Sequence, residues 1–277
     1  MALLPLRQLT ASPTESLNRA FLEEFEHTLD SSTDRYETCR RVLCSIVYPE
    51  YADAWDTAVR DEALPVATRL ALLSLDPRNV TLEAEYYAEC DHDAFARTKP
   101  LLWLWYSFDR TPLGGQNVDL AIRFRRMLAK RIFRKCGENF KAFQHVEFSF
   151  GYNMEVGDDV VIHRHVLLDD RGGLVLGNRV SISDYANIYS HTHSIVDQRD
   201  VTDAVTRIDD DVRITYHATV LAGVHVGENG MVGAGAIATR DVSPFHVHVG
   251  VPAKSIRIKP NAPAASFNFT TVKPQKA

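Results

Sequence analysis

His191 and His193 stand two residues apart at the head of a polar stretch, HTHSIVDQRDVTDAVTR, that runs from His191 to Arg207. The ordinary pKa of histidine lies near working pH, so either ring could take a proton from an attacking hydroxyl. Neutral imidazole is also a common zinc ligand, and His163, His165, His217 and His225 lie in the same half of the chain. By itself an HxH pair reads as two surface loop histidines. What decides among these readings is the frame around the pair.

That frame has a period of six. Aliphatic residues fall at Val156 and Ile162, then at Leu176, Ile182 and Ile188, and again at Ile208, Ile214, Val220, Val226 and Val232, with Ala238 next in line. Four positions after most of these stands a second small or aliphatic residue: Val160, Val166, Val180, Ala186, Val212, Ala218, Val224 and Ala236. A helix repeats near 3.6 residues and a flat strand at 2, whereas a unit of one short strand plus a turn fits six. Such units stack into a parallel β-helix with a continuous core. Gly157, Gly177, Gly227 and Gly233 directly follow the aliphatic position, where they suit turns with positive φ. Two stretches break the frame. DDRGG at Asp169–Gly173 expands one turn, and the stretch that opens with His191 leaves as a loop on one face, where sites often sit.

The residues before the repeats read as helices. Ser12 as cap and Pro13 as first helical residue start a helix whose apolar face is Leu17, Phe21, Phe25 and Leu29. Further helices are expected over Thr33–Val47, Ala52–Ala63, Pro65–Leu75 and Leu82–Ala96. A last one places Ala121, Phe124, Leu128 and Ile132 on one face. Its seven cations, Arg123, Arg125, Arg126, Lys130, Arg131, Arg134 and Lys135, form either a solvated face, the favoured reading, or a weak membrane-surface contact through residues 121–135. The expected organisation is an α-helical N-terminal region at 1–136, a β-helix domain at 137–259 and a tail at 260–277, mainly β overall.

Composition narrows the classes. A formal net charge of -5 and a pI near 6.1 give no basic field for nucleic acid. Cys39, Cys44, Cys90 and Cys136 form no CxxC pair and read as reduced, mostly buried thiols. MALLPLRQLTASP lacks a secretory pattern, and PLLWLWYSF at Pro100–Phe108 is too short to span a bilayer, so a cytoplasmic protein is expected.

The chain resembles the hexapeptide-repeat acyltransferases, in particular the maltose, galactoside and Nod-factor O-acetyltransferases. The likeness covers about Phe148 to Ile258, on FSFGYN at Phe148–Asn153, VLLDD at Val166–Asp170, ANIYSHTHS at Ala186–Ser194, VGENGMVGAGAIATRDV at Val226–Val242 and VGVPAKSIR at Val249–Arg257. The resemblance implies a left-handed β-helix, a homotrimer, acetyl-CoA as co-substrate in a cleft between subunits, no metal, and a carbohydrate acceptor. It places the general base on His193, with His191 as a near neighbour that could share the role. It maps acceptor binding to Ser149, Asp170 and His163, the last standing where the family usually has asparagine. CoA contacts map to Tyr216, Ala234, Thr239, Arg240, Lys254 and Arg257, while Arg213 replaces a tryptophan often found beside the CoA arm. The longer helical part has no counterpart in this comparison. Two other readings stay open: a zinc enzyme like the γ-class carbonic anhydrases, and a non-catalytic β-helix scaffold.

Overall fold

The structure, a computed structural model, describes residues 14–264. Seven α-helices come first: α1 Thr14–Ser31, α2 Arg35–Val47, α3 Trp55–Arg60, α4 Val66–Leu73, α5 Ala84–Glu89, α6 His92–Phe108 and α7 Val118–Ile132. The expected cap at Ser12 and Pro13 lies outside the described residues. In α1 the apolar face begins at Phe21 rather than Leu17, which is 64% exposed, while Phe25 and Leu29 are buried. The expected helix over Leu82–Ala96 is two helices. The Asp91 side chain accepts the Ala94 amide at 2.8 Å and starts α6 afresh, so the chain turns between α5 and α6. Among the described residues no helix is long and apolar enough to cross a membrane. The four cysteines are free, and three of them are buried.

The α7 stripe Ala121, Phe124, Leu128 and Ile132 is buried as its spacing requires. Most of the cations at 123–134 are paired within the protein. Arg123 pairs with Asp119 and Glu15, Lys130 with Glu138, Arg131 with Asp30 and Glu26, and Arg134 lies 3.5 Å from Glu155. Arg126 donates to the Phe140 carbonyl at 2.7 Å. Arg125 is buried, donating to Asp109 and to the carbonyls of Gly114 and Ala142. Asp109 also accepts the His145 amide at 2.7 Å. A buried charge is tolerable only when paired in this way, and here the pairing ties the helices to the coil.

The coil is a parallel β-helix of three sheets, with about six turns. Aligned residues stack across coils as Val156, Leu176, Ile208 and Val226 on one sheet, and as Ile162, Ile182, Ile214 and Val232 on the second. Ile188, Val220 and Ala238 stack on the third. Every inward position of the six-residue frame is buried, and the second positions are buried as well. The coil also begins earlier than the aliphatic pattern. Lys135–Cys136, Lys141–Ala142 and Glu147–Phe148 form a first turn paired to Glu155–Val156, Val161–Ile162 and Leu167–Leu168. Its inward residues, Cys136, Ala142 and Phe148, keep the period of six but not the residue type. They lie at the end that the helices plug: Phe148 packs on Trp105 and Phe133, and the Trp105 indole donates to the Val146 carbonyl at 2.9 Å.

The glycine expectation needs correcting. Gly157 and Gly177 do not have positive φ; Asp159, Arg179 and Asn229, two residues after such glycines, do. A Cβ on Gly157 would sit 2.7 Å from the Gly177 backbone carbon, and one on Gly177 would sit 2.7 Å from the Asp210 amide. These glycines let neighbouring coils approach. The turns themselves are tied by a ladder in which Asp158, Asn178 and Asp210 each accept the amide of the residue one coil earlier, at 2.7 to 2.8 Å.

The one large break is a hairpin. His191–His193 pairs antiparallel with Val201–Asp203, and the coil resumes at Thr206–Ile208 beside Leu174–Leu176.

Candidate active site

The expanded turn and the hairpin meet through Asp169. Its carboxylate accepts the Ser149 hydroxyl at 2.8 Å and the Ser190 amide at 3.1 Å, and it contacts Nδ1 of His191. Burial alone would raise its pKa, but these hydrogen bonds outweigh it and hold the carboxyl below the usual range. On the other side of the ring, the Arg171 guanidinium contacts Nε2 of His191. Arg171 also binds Glu85, lies 3.2 Å from Glu89 Oε2, and stacks over Tyr86. Both nitrogens of His191 are therefore engaged.

His193 is placed differently. Its Nδ1 lies 2.7 Å from the Gln198 carbonyl, and a carbonyl can only accept, so Nδ1 carries the proton. In the neutral ring the lone pair then sits on Nε2, which lies 3.5 Å from Glu85 Oε1. Glu85, Gln198, Arg199 and Val201 line an open hollow with His193, of about 630 Å³. Arg171 holds the Glu85 carboxyl below its ordinary range. The rings of His191 and His193 stand perpendicular, 5.3 Å apart. The geometry separates the two histidines: both nitrogens of one are engaged, whereas the other is held at Nδ1 and lines the hollow.

The other expected site residues divide. Ser149 joins the cluster through Asp169. Asp170 does not: it is fully buried, accepting the Phe150 amide at 2.7 Å and the Asn153 amide at 3.2 Å. Burial pushes its carboxyl up to about 6. His163 lies outside the cluster, stacked on Phe143 at 5.0 Å with Nδ1 4.0 Å from Asp184, and burial lowers its pKa. Tyr216, Ala234, Thr239, Arg240, Lys254 and Arg257 are all exposed, and none bonds to or stacks on His193 within the chain. Arg213 is exposed as well. One edge of the coil carries a column of stacked rings, His145, His165, Tyr185 and His217, spaced 4.8 to 4.9 Å, with Tyr216 edge-on to Tyr185.

Sequence reasoning missed Asp169, Arg171, Glu85 and Glu89. The first two lie in the DDRGG turn, which was visible as a break in the frame. The glutamates come from α5, more than a hundred residues from His193, and no local pattern marks them.

A metal reading can be tested on the donors. Among the described residues, Glu85, His191 and His193 bring ligand atoms within 4.8 Å of one another, whereas His163, His165, His217 and His225 join no such group. Zinc needs an unshared lone pair from each histidine. With Nδ1 of His191 on a carboxylate and Nε2 against a guanidinium, this set does not fit zinc as it stands.

No family model matches the chain. A galactoside O-acetyltransferase of Escherichia coli (strain K12) is 29% identical over 137 residues, covering 48% of this chain and 68% of that protein. A putative acetyltransferase of Schizosaccharomyces pombe is 30% identical over 115 residues, covering 40% and 55%. Among solved structures, a maltose O-acetyltransferase from Clostridium difficile 630 superimposes with a TM-score of 0.53 at 22% identity, over 64% of this chain and 89% of that one. A hexapeptide-repeat acetyltransferase from Vibrio cholerae gives 0.52 at 23% identity, over 64% and 93%. These structural likenesses speak for the fold, and they cover more of the chain than the coil occupies, so they reach back into the helices left unmatched by the sequence motifs. With the six-residue coil, the extruded histidine hairpin and these relatives together, the chain is similar in sequence and in fold to the hexapeptide-repeat acetyltransferases.

Proposed function

We propose that the protein transfers an acyl group, acetyl in the simplest case, from acyl-CoA to a carbohydrate hydroxyl, with His193 as general base. The observation that carries this reading is the placement of His193: Nδ1 on the Gln198 carbonyl, the ring lining the hollow and Nε2 beside Glu85. The acceptor hydroxyl gives its proton to Nε2 as its oxygen attacks the thioester carbonyl. The carbon–sulfur bond then breaks, the thiolate of CoA takes the proton back from the imidazolium, and an ester and free CoA result. The Asp169–His191–Arg171 chain supports the hairpin and holds Glu85 against it. Ser149 and His163 remain acceptor-side residues in this reading, and Asp170 acts through the turn it braces.

The exposed strip from Tyr216 to Arg257 is where CoA would lie, its cations meeting the phosphates. Because the strip makes no contact with His193 within one chain, we propose a homotrimer in which the two meet between subunits. The carbohydrate class rests on the galactoside and maltose enzymes among the relatives and on the hydrogen-bonding side chains of Glu85, Gln198 and Arg199 at the hollow. The test is release of free thiol from acetyl-CoA with a panel of sugars, comparing wild type with His193→Ala. Full turnover by the alanine variant would sink the assignment. Stoichiometric zinc with hydration of carbon dioxide would favour the anhydrase reading, and absence of both activities a scaffold.

A further inference from the structure

A second cavity, of about 490 Å³, lies where α2, α5, α6 and α7 meet the first turns of the coil, and the acyl-transfer reading does not use it. Arg35, Arg97 and Arg134 line it, together with Tyr152, Glu89 and Asp91. Among the described residues, Arg35 and Arg97 have neither an ion-pair nor a hydrogen-bond partner, and Arg134 is 60% exposed with its carboxylate partner at 3.5 Å. Guanidinium groups that border a cavity with no carboxylate bonded to them, as Arg35 and Arg97 do, are ready to take a planar or tetrahedral oxyanion. The Tyr152 hydroxyl accepts the Asp91 amide at 2.9 Å and has no acceptor for its own proton among the described residues.

One carboxylate of the same lining has the opposite need. Glu89 Oε2 is held by Arg171, but Glu89 Oε1 is buried with no hydrogen-bond partner. A buried carboxylate oxygen without a donor is costly. A ligand hydroxyl would satisfy it once the Glu89 side chain turns toward the cavity, and the Asp91 carboxylate in the same lining accepts hydroxyl protons too. The cavity thus offers both donors and acceptors.

We infer that this cavity binds a phosphorylated sugar, with the phosphate on Arg35, Arg97 and Arg134 and a sugar hydroxyl on Glu89. The site is separate from the proposed chemistry at His193 and does not depend on it. Glu89 is a shared wall, since its other oxygen holds the arginine that caps His191 and binds Glu85.

The probes are glucose 6-phosphate, glucose and inorganic phosphate, titrated calorimetrically into the full chain. Glucose 6-phosphate should bind, more tightly than inorganic phosphate, and glucose alone should not. An Arg35→Ala/Arg97→Ala double variant should bind glucose 6-phosphate at least about ten-fold more weakly, the loss of charge-assisted hydrogen bonds. Because neither arginine has a partner in the fold, that variant should keep the wild-type thermal unfolding midpoint, which serves as the folding control. Glu89→Gln should reduce the preference for glucose 6-phosphate over inorganic phosphate. No binding of glucose 6-phosphate at millimolar concentration, or unchanged affinity in the folded double variant, overturns the site. Equal affinity for glucose 6-phosphate and inorganic phosphate overturns the sugar half of it.

Discussion

Oε1 of Glu85 lies 3.5 Å from Nε2 of His193. One atom belongs to a short helix of the N-terminal layer, the other to a hairpin that leaves the coil, so the helical half forms one wall of the site. That places a negative charge beside the imidazole.

Replacing Glu85 with Gln removes that charge. We expect kcat/KM for acetyl transfer to fall roughly ten-fold with little change in thermal unfolding, since the residue is half exposed. Steady-state kinetics on wild type and variant check this; equal kcat/KM would show that the helix contributes no charge to the step.

The two histidines should fail differently. His193→Ala removes the proposed base and should lower kcat by about 10²–10⁴-fold, with the fold intact because the ring is exposed and its one hydrogen bond among the described residues is to the Gln198 carbonyl. His191→Ala leaves the buried Asp169 and Arg171 short of a partner and should cost about 1–3 kcal/mol of stability, with a smaller loss of rate. Thiol release and urea unfolding on both variants separate these outcomes.

Asp170 gives a pH signature of stability. Burial pushes its folded pKa up to about 6 from the ordinary 3.8, so the folded state holds a proton that the unfolded chain releases earlier. Its contribution to stability is therefore full below 3.8 and falls as pH rises through 6, by about 3 kcal/mol in all. Asp169, whose pKa is lowered, acts in the opposite sense and at lower pH: its contribution is present above 3.8 and lost as pH falls through its folded value. Asp170→Asn should flatten the decline between 3.8 and about 6 while lowering stability overall, because an amide cannot accept both backbone N–H groups. Urea midpoints across that range measure it.

Two glycines test the packing of the coil. A Cβ at Gly177 would meet the backbone amide of Asp210 at 2.7 Å, so Gly177→Ala should destabilise by about 1–3 kcal/mol. At Gly235 nothing lies within 4 Å, and only its φ of +67 opposes a side chain, so Gly235→Ala should cost about 1–2 kcal/mol. Denaturant unfolding of the two variants would show the larger loss at Gly177; the reverse order would mean that the turns, not the contact between coils, limit the repeat.

The coil was legible because its rule is local and repeated. Each inward residue meets its own equivalent one turn away, so burial selects the same kind of residue every six positions, from Val156 to Ala238. The rule weakens where the neighbour changes: Cys136, Ala142 and Phe148 face helices, and the first turn was hidden for that reason. The same logic misread the glycines, because a spacing cannot distinguish a turn that needs positive φ from a backbone that needs room.

The sequence by itself determined the β-helix, the place where it breaks, and the histidine pair at that break, since all three follow from neighbours along the chain or one period away. Only the tertiary structure decided what each histidine can do. Arg171 and Asp169 lock His191, the Gln198 carbonyl takes the Nδ1 proton of His193, and Glu85 arrives from a distant helix. Those contacts depend on how the helical layer seats against the coil, through groups such as Arg125, Asp109 and Trp105. No periodicity along the chain records where such a layer comes to rest.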